Sequence, residues 1–179
     1  PQFGQILIKT LYLTLDPYMR GRIRPGHSYA PGLKIDEIMT GEIVGIVEMS
    51  NSKKIPIGSF VRSRSGWTKY SIKSDSEVTV LENSSHSIST SLGVLGMPGL
   101  TAYHGLLEIG KPKAGETLVV SAASGAVGAL VGQIAKINGC KVVGTVGNDI
   151  KAKYIKEDLG FDFAINYKKE NIEKKIKEF

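Results

Sequence analysis

An apolar stretch that leads directly into a run of small residues is the feature that most constrains the fold. Residues 117–128 read Thr-Leu-Val-Val-Ser-Ala-Ala-Ser-Gly-Ala-Val-Gly, and a helix-like segment, Ala129 to Ile137, follows. A second apolar strand, Lys141 to Val146, comes after the break at Asn138-Gly139. The span is close to the ~30 residues of a βαβ unit, in which a right-handed crossover sets the two strands side by side and parallel.

The small-residue turn in this unit predicts a binding site for the pyrophosphate of a dinucleotide. Small residues let the backbone approach the phosphates, and the N–H groups of the next helix then face the anion. Gly125, Ala126, Val127 and Gly128 form the turn, and Ala122 stands where the usual pattern has its first glycine. Such a turn can also be only a tight connection, but the βαβ spacing favours phosphate binding.

Composition and charge indicate an ordinary globular protein of one or two domains. The 179 residues are 41% hydrophobic and 22% charged, with a net charge of +6. Lysines and acids are interspersed in the C-terminal part, which indicates solvated helix faces and no nucleic-acid surface. No apolar run approaches the ~18 residues of a membrane span, and no signal-peptide pattern opens the chain. A cytoplasmic location is therefore the default expectation.

Side chains that could bind a metal are few. The chain has one cysteine, Cys140, and three scattered histidines, His27, His86 and His104. A zinc site takes three or four Cys, His or acidic ligands in a defined geometry. We therefore expect the histidines to be surface or packing residues, and we expect no metal site.

The first part of the chain predicts a small barrel-like or sandwich domain. Strand-like runs extend over Gln5 to Leu15, Ile43 to Met49, Ser59 to Arg62 and Thr68 to Ile72. Glycine and proline turns separate them, and a loop is expected over Gly21 to Gly32.

The pattern changes after a polar stretch, Asn83 to Thr90, which is expected to be a linker or surface loop. Helical patterns follow at Leu92 to Leu95 and at Leu100 to Leu107, and we divide the chain into domains 1–95 and 96–179.

The second domain has room for few strands. After the two strands of the βαβ unit, a third is expected at Phe163 to Ile165. A doubly wound dinucleotide domain usually has about six strands. We therefore expect the chain to be a fragment of a longer protein, or part of one.

Charged residues after the second strand of the βαβ unit bear on the choice of cofactor. An NAD site places a carboxylate there, which accepts the ribose 2′-OH. Asp149 lies near that position, but the preceding Gly147-Asn148 predicts a helix start with Asp149 at its N-cap or in its first turn. Lys151 is then a cation near the place of a 2′-phosphate. A free carboxylate would repel that phosphate, so we expect NADP(H); the alternative is that Lys151 is a solvated helix lysine.

Four segments occur in an order that resembles the zinc-independent medium-chain dehydrogenase/reductases. Within these, the resemblance is to the NADP-dependent alkenal/enone reductases, the group of the prostaglandin and curcumin reductases. The segments are Leu15 to Arg22 (LDPYMRGR), Leu95 to Tyr103 (LGMPGLTAY), Gly125 to Gly128 (GAVG), and Leu159 to Asp162 with Asn166-Tyr167.

This resemblance implies a GroES-like partial barrel followed by an incomplete Rossmann sheet. It implies hydride transfer from NADPH to the β-carbon of an α,β-unsaturated aldehyde or ketone, without a metal ion. Lys151 and Tyr167 would bind the 2′-phosphate, although Tyr167 can also be interpreted as a packing residue. The full-length protein is expected to be a homodimer.

The resemblance also suggests residues around the substrate. Tyr18 is the candidate donor to the carbonyl oxygen; the alternatives are a packed aromatic ring at Tyr18 and donation by the cofactor's own ribose hydroxyl. Met97 and Thr101 are candidates for the nicotinamide pocket, with helix packing as the competing interpretation. Trp67 is interpreted either as an apolar wall of the pocket or as an anchor of the small domain.

Two other functions stay open at this point. One is a quinone reductase of the same superfamily, and the other is an NADP(H)-binding protein without turnover. The segments Asp16 to Arg22 and Met97 to Tyr103 favour the alkenal/enone reductase over the quinone reductase.

Overall fold

The computed structural model describes residues 1–24, 26, 30–82 and 86–179, and these form two compact units, Pro1–Leu92 and Gly93–Phe179. The units divide three residues before the expected boundary between residues 95 and 96. The turn at residues 93–96 is hydrogen-bonded to the helix that follows it, because the carbonyl of Gly93 accepts from the N–H groups of Gly96 (3.0 Å) and Gly99 (3.1 Å). This turn therefore belongs to the second unit.

The strands of the first unit form one antiparallel sheet in the order β4-β1-β2-β3-β5. Register shifts in β1 mark bulges, which bend a strand and increase its twist. Ile6 and Ile8 of β1 are fully buried and pack against residues of β2 and β3. The strands are β1 (Gln5–Leu13), β2 (Ile43–Ser50), β3 (Phe60–Ser63), β4 (Tyr70–Ser74) and β5 (Val78–Val80). The curled sheet confirms the predicted β-rich first domain, although β5 was not predicted.

A short helix, α1 (Tyr18–Ile23), replaces part of the expected loop. Six residues are too few to be stable as an isolated helix in water. Burial of Met19, whose side chain is 4% exposed, stabilises it here. Residues 25 and 27–29 of the expected loop lie outside the described residues.

The helical region between the two sheets differs from the prediction. Ile88–Leu92 is a 3₁₀-helix, and residues 93–96 form a turn where a helix was expected. Helix α2 (Met97–Tyr103) has Pro98 in its first turn, a favoured place for proline, and continues as a π-helical segment, His104–Gly110. Residues 83–85 of the expected linker lie outside the described residues.

The second unit contains a parallel sheet in the order β6-β7-β8, as predicted. Its strands and helices are β6 (Thr117–Val120), α3 (Ala126–Ile137), β7 (Lys141–Val146), α4 (Asp149–Glu157), β8 (Phe163–Asn166) and α5 (Ile172–Ile176). Helix α3 begins at Ala126, three residues earlier than expected, since the N–H of Ala129 already donates to the carbonyl of Gly125. Ala126, Val127 and Gly128 are thus in the first helical turn.

Two glycines allow α3, α4 and β7 to pack closely in the core of this unit. A Cβ atom at Gly132 would lie 1.9 Å from Cζ of Phe161, and one at Gly144 would lie 2.5 Å from Cδ1 of Ile155. Phe161 and Ile155 are both buried.

None of the helices formed by the described residues is long and apolar enough to cross a membrane.

Candidate functional site

The turn between β6 and α3 brings two stretches of backbone into close contact. A Cβ atom at Gly128 would lie 2.5 Å from the carbonyl oxygen of Ala122, and one at Gly125 would lie 3.1 Å from it. Gly128 is therefore required for this packing. Ala122 has a φ of 48°, in the left-handed region, which costs an alanine about 1 kcal/mol. This strain explains why glycine is usual at that position of the pattern.

The start of α3 has the features of an anion-binding helix end. Gly125 is the N-cap, and among the described residues no side chain caps this end, whereas the side chain of Asn148 caps α4. The first N–H groups of a helix have no acceptor within the helix and form the positive end of its dipole. Anion binding by the N–H groups of Ala126, Val127 and Gly128 is compatible with this helix end and stays a prediction.

The carboxyl ends of β7 and β8 lie side by side and build a second part of the site. Val146 pairs with Asn166, and the N–H of Tyr167 donates to the carbonyl of Val146 (3.1 Å). The hydroxyl of Tyr167 lies 2.8 Å from the position that a Cβ atom would take at Gly147, and Cε of Lys168 lies 3.8 Å from it. Gly147 thus leaves a cradle bordered by a phenol and a lysine.

Lys151 and Tyr167 lie at this same edge of the parallel sheet. Lys151 is the third residue of α4, it is exposed, and its backbone N–H donates to Oδ1 of Asn148 (2.8 Å). Lys168 was not predicted to lie at this site, although its position next to Tyr167 in the sequence could have indicated it. A cationic, hydroxyl-bearing cradle of this kind fits a phosphate group.

Asp149 is engaged by the segment that follows β8. As expected, it lies in the first turn of α4, where Asn148 is the N-cap. Oδ1 of Asp149 accepts from Nδ2 of Asn166 (2.6 Å), and Oδ2 accepts from Nζ of Lys169. The hydrogen bond from Lys169 and then that from Asn166 lower the pKa of Asp149. The carboxylate therefore stays ionised with a donor on each oxygen.

Tyr18 and Trp67 belong to the first unit, where Trp67 and Met19, the residue after Tyr18, both lie close to Gly41. A Cβ atom at Gly41 would lie 2.9 Å from Cε of Met19 and 3.6 Å from Nε1 of Trp67. Trp67 donates from Nε1 to the carbonyl of Thr14 (3.2 Å), is 42% exposed, and lines an open groove formed largely by β1. Its indole group is thus both anchored and partly exposed. Tyr18 is half-buried at the start of α1.

Met97 and Thr101 belong to the second unit and lie one turn apart on α2. The hydroxyl of Thr101 donates to the carbonyl of Met97 (2.7 Å), so it is used within the helix. Met97 is 43% exposed. An apolar side chain is thus available at this helix end.

The described part of the chain contains no group of three His, Cys, Asp or Glu side chains placed to bind a metal ion. Cys140 is buried, with its Sγ 3.5 Å from the carbonyl of Lys113. His104 is exposed on the π-helical segment, His86 is exposed, and His27 lies outside the described residues.

The two units match known protein families separately. Residues 1–81 match the family described as the N-terminal domain of oxidoreductase. Residues 126–179 match the family described as zinc-binding dehydrogenase.

Individual relatives and a solved structure match nearly the whole chain. The chain is 50% identical over 167 residues to an NADPH-dependent curcumin reductase of Escherichia coli, covering 93% of this chain and 48% of that protein. It is 48% identical over 179 residues to prostaglandin reductase 1 of Bos taurus, covering 98% and 52%. The crystal structure of CurA from Vibrio vulnificus in complex with NADPH has a TM-score of 0.92 at 46% identity, covering 99% and 53%.

A GroES-like partial barrel followed by a Rossmann sheet, together with these matches, defines a medium-chain dehydrogenase/reductase. The chain belongs to this superfamily, and the relatives that it matches include a curcumin reductase and a prostaglandin reductase, the group that its sequence resembles. It spans about half the length of the curated relatives it matches.

Proposed function

We propose that the full-length protein is an NADPH-dependent oxidoreductase that reduces the carbon–carbon double bond of α,β-unsaturated aldehydes or ketones without a metal ion. The observation that carries the proposal is the 50% identity to an NADPH-dependent curcumin reductase across both units. The phosphate-fitting cradle at Gly147 and Tyr167 supports the choice of NADPH on independent, geometric grounds.

The chain's own residues would hold the cofactor at two places. The N–H groups of Ala126, Val127 and Gly128 would bind the pyrophosphate. Lys151 and Tyr167 would bind the 2′-phosphate, with Lys168 as a further cation. The bound cofactor supplies the hydride, and the protein's task is to orient it against the alkene.

Four residues are candidates for orienting the substrate and the nicotinamide, as the sequence resemblance implies. In this proposal Tyr18 donates a hydrogen bond to the carbonyl oxygen, which becomes more negative as hydride adds at the β-carbon. Trp67 supplies an apolar wall, for which its partial exposure and its anchoring bond to Thr14 are suitable. Met97 and Thr101 border the nicotinamide.

Turnover by the full-length protein tests this function. We expect NADPH oxidation with 2-alkenals and enones, formation of the saturated carbonyl compound, and no loss of activity after treatment with a chelator. Activity with quinones alone would instead identify a quinone reductase. NADPH binding without turnover across all three substrate classes would identify a non-catalytic binding protein.

The proposal includes the protein's partners and its place in the cell. We propose a homodimer that acts in the cytoplasm on small molecules and does not bind nucleic acid. Light scattering of the full-length protein tests the dimer, and a monomer at working concentrations would contradict it.

A further inference from the structure

A lysine beyond the end of β8 is paired with the acid at the start of α4. Nζ of Lys169 forms an ion pair with Oδ2 of Asp149, and Nδ2 of Asn166 donates to Oδ1 (2.6 Å). Each oxygen of this carboxylate thus has its own donor, one from the last residue of β8 and one from the turn that follows β8. Neither Lys169 nor Asn166 is among the residues assigned above to cofactor binding.

Asn166 also determines the turn on which Lys169 stands. Its side chain is buried, and its Oδ1 accepts from the N–H of Lys168 (3.2 Å). Its carbonyl accepts from the N–H of Lys169 (2.9 Å) and from that of Glu170 (2.9 Å). Asn166 therefore holds the turn through its side chain and its backbone carbonyl, and its side chain also contacts Asp149. The same residue thus determines where Lys169 lies relative to Asp149.

Both members of this pair lie within two residues, along the chain, of residues of the proposed 2′-phosphate site. Asp149 stands between Gly147, over which the hydroxyl of Tyr167 lies, and Lys151 on the first turn of α4. A carboxylate with a free oxygen here would accept a hydrogen bond from a ribose 2′-OH. The same carboxylate, if its charge were not balanced, would repel a 2′-phosphate.

We propose that Lys169 is a positioning residue for cofactor selection, which by pairing with Asp149 removes that carboxylate from recognition of a ribose 2′-OH and lets the site accept a 2′-phosphate. The inference rests on the proposed function as an NADPH enzyme. Lys169 acts through Asp149 and not by contacting the phosphate itself. The preference for NADPH over NADH thus depends partly on an ion pair between two of the protein's own side chains.

The expected effect is modest because both side chains are largely exposed, 67% for Lys169 and 65% for Asp149. Exposed ion pairs are screened by water, so we expect changes of about two- to fivefold in dissociation constants.

The test measures dissociation constants of the full-length protein for NADPH, NADH and adenosine 2′,5′-bisphosphate, which carries the phosphate without the nicotinamide. In Lys169→Met, binding of NADPH and of the bisphosphate should weaken about two- to fivefold, while NADH binding is unchanged or stronger. In the double variant Asp149→Asn/Lys169→Met, NADPH affinity should return to that of the unaltered protein. Lys169→Arg should retain the preference for NADPH.

Lys153→Met is the matched control, because Lys153 pairs with an acid of α4, as Lys169 does, but its partner Glu157 lies at the far end of the helix, away from the strand ends. It should leave all three constants unchanged. If Lys169→Met does not fold, Asp149→Asn alone decides: its NADPH affinity should be equal or higher, and a fall would overturn the inference.

Two outcomes contradict the role of Lys169. A double variant that keeps the loss would show direct contact between Lys169 and the phosphate, and equal losses for NADPH and NADH would show a purely structural role. Either result leaves the proposed function intact if the protein still reduces enones. An unaltered protein that does not bind NADPH would overturn both proposals.

Discussion

The hydroxyl of Tyr167 lies over the backbone of Gly147, 2.8 Å from the point where a Cβ atom would stand at residue 147. Gly147 follows β7 and Tyr167 follows β8, so this contact joins two neighbouring strand ends. Any side chain at residue 147 would displace the ring. Glycine at residue 147 thus lets the ring of Tyr167 take this position, through close approach and not through an unusual backbone conformation.

Gly147→Ala should weaken NADPH binding about tenfold, the equivalent of one hydrogen bond to a charged group. Stability should change by less than about 1 kcal/mol, since the half-exposed Tyr167 can move aside. Titration with NADPH and thermal unfolding measure the two effects. Gly105→Ala is the control, because no described heavy atom lies within 4 Å of a Cβ there. Unchanged NADPH affinity in Gly147→Ala would remove Tyr167 from the site.

Lys151→Ala should raise the dissociation constant for NADPH about tenfold or more and leave that for NADH nearly unchanged, because only NADPH carries the 2′-phosphate. Equilibrium titrations with both cofactors measure the difference. Lys156→Ala, in the last turn of the same helix, should affect neither. Equal losses for the two cofactors would mean that Lys151 is a solvated helix lysine.

Tyr18→Phe should lower kcat for an enone about a hundredfold if the hydroxyl stabilises the developing negative charge. Affinity for NADPH should be unchanged, and Tyr70→Phe, an exposed tyrosine of β4, serves as the control. Steady-state kinetics with saturating NADPH measure the effect. An unchanged kcat would identify Tyr18 as a packed aromatic, with donation by the cofactor's ribose hydroxyl.

Gly132→Ala should destabilise the second unit by about 1–3 kcal/mol, the usual cost of overpacking a core. Its Cβ would lie 1.9 Å from Cζ of Phe161, and this ring is 3% exposed and cannot move freely. Denaturant unfolding measures the loss. Phe161→Leu in the same chain should recover part of it. A variant at least as stable as the unaltered protein would contradict this packing account.

Asp162→Asn should reduce the stability of the protein at neutral pH. It should also make that stability decrease less steeply as the pH is lowered. Burial opposes ionisation of Asp162, but hydrogen bonds from Lys136 (2.7 Å) and from the N–H of Val142 (2.6 Å) outweigh it and lower the pKa. A lowered pKa in the folded state contributes stability above the unfolded-state pKa of about 4, and this is lost as the pH falls through the folded value.

Unfolding at a series of pH values measures this contribution. The difference in stability between the unaltered protein and Asp162→Asn should be largest above the unfolded-state pKa of about 4 and should shrink as the pH falls through the lowered folded-state pKa. A difference independent of pH would show that the carboxylate's charge is not involved.

The strands of the second unit were predictable because each contains a short apolar run. Val142 and Val143 are fully buried, as a strand covered on both faces requires. Helix α1 was not predictable, since its six residues depend on burial of Met19. The 3₁₀-helix at Ile88–Leu92 and the π-helical segment at His104–Gly110 likewise depend on contacts that periodicity does not describe.

The residues of the candidate site also fall into those that the sequence could predict and those that it could not. Gly125 and Gly128 could be found from their spacing after a strand, and Lys151 and Tyr167 from the resemblance to a family. The contacts of Asn166 and Lys169 with Asp149 could not be predicted in this way. They join two parallel strand ends that are some 20 residues apart in the chain, and no local pattern specifies which atoms meet.

The sequence by itself determined the βαβ unit, the two-part architecture and the small residues of the phosphate turn, because these follow from local periodicity and from the space that glycine leaves. Only the tertiary structure determined which groups donate to the carboxylate of Asp149. Its position along the chain suits a ribose-binding acid, but parallel pairing of β7 with β8 brings Asn166 and Lys169 to its oxygens. Whether a carboxylate recognises a ligand or is neutralised depends on the donors that surround it in space.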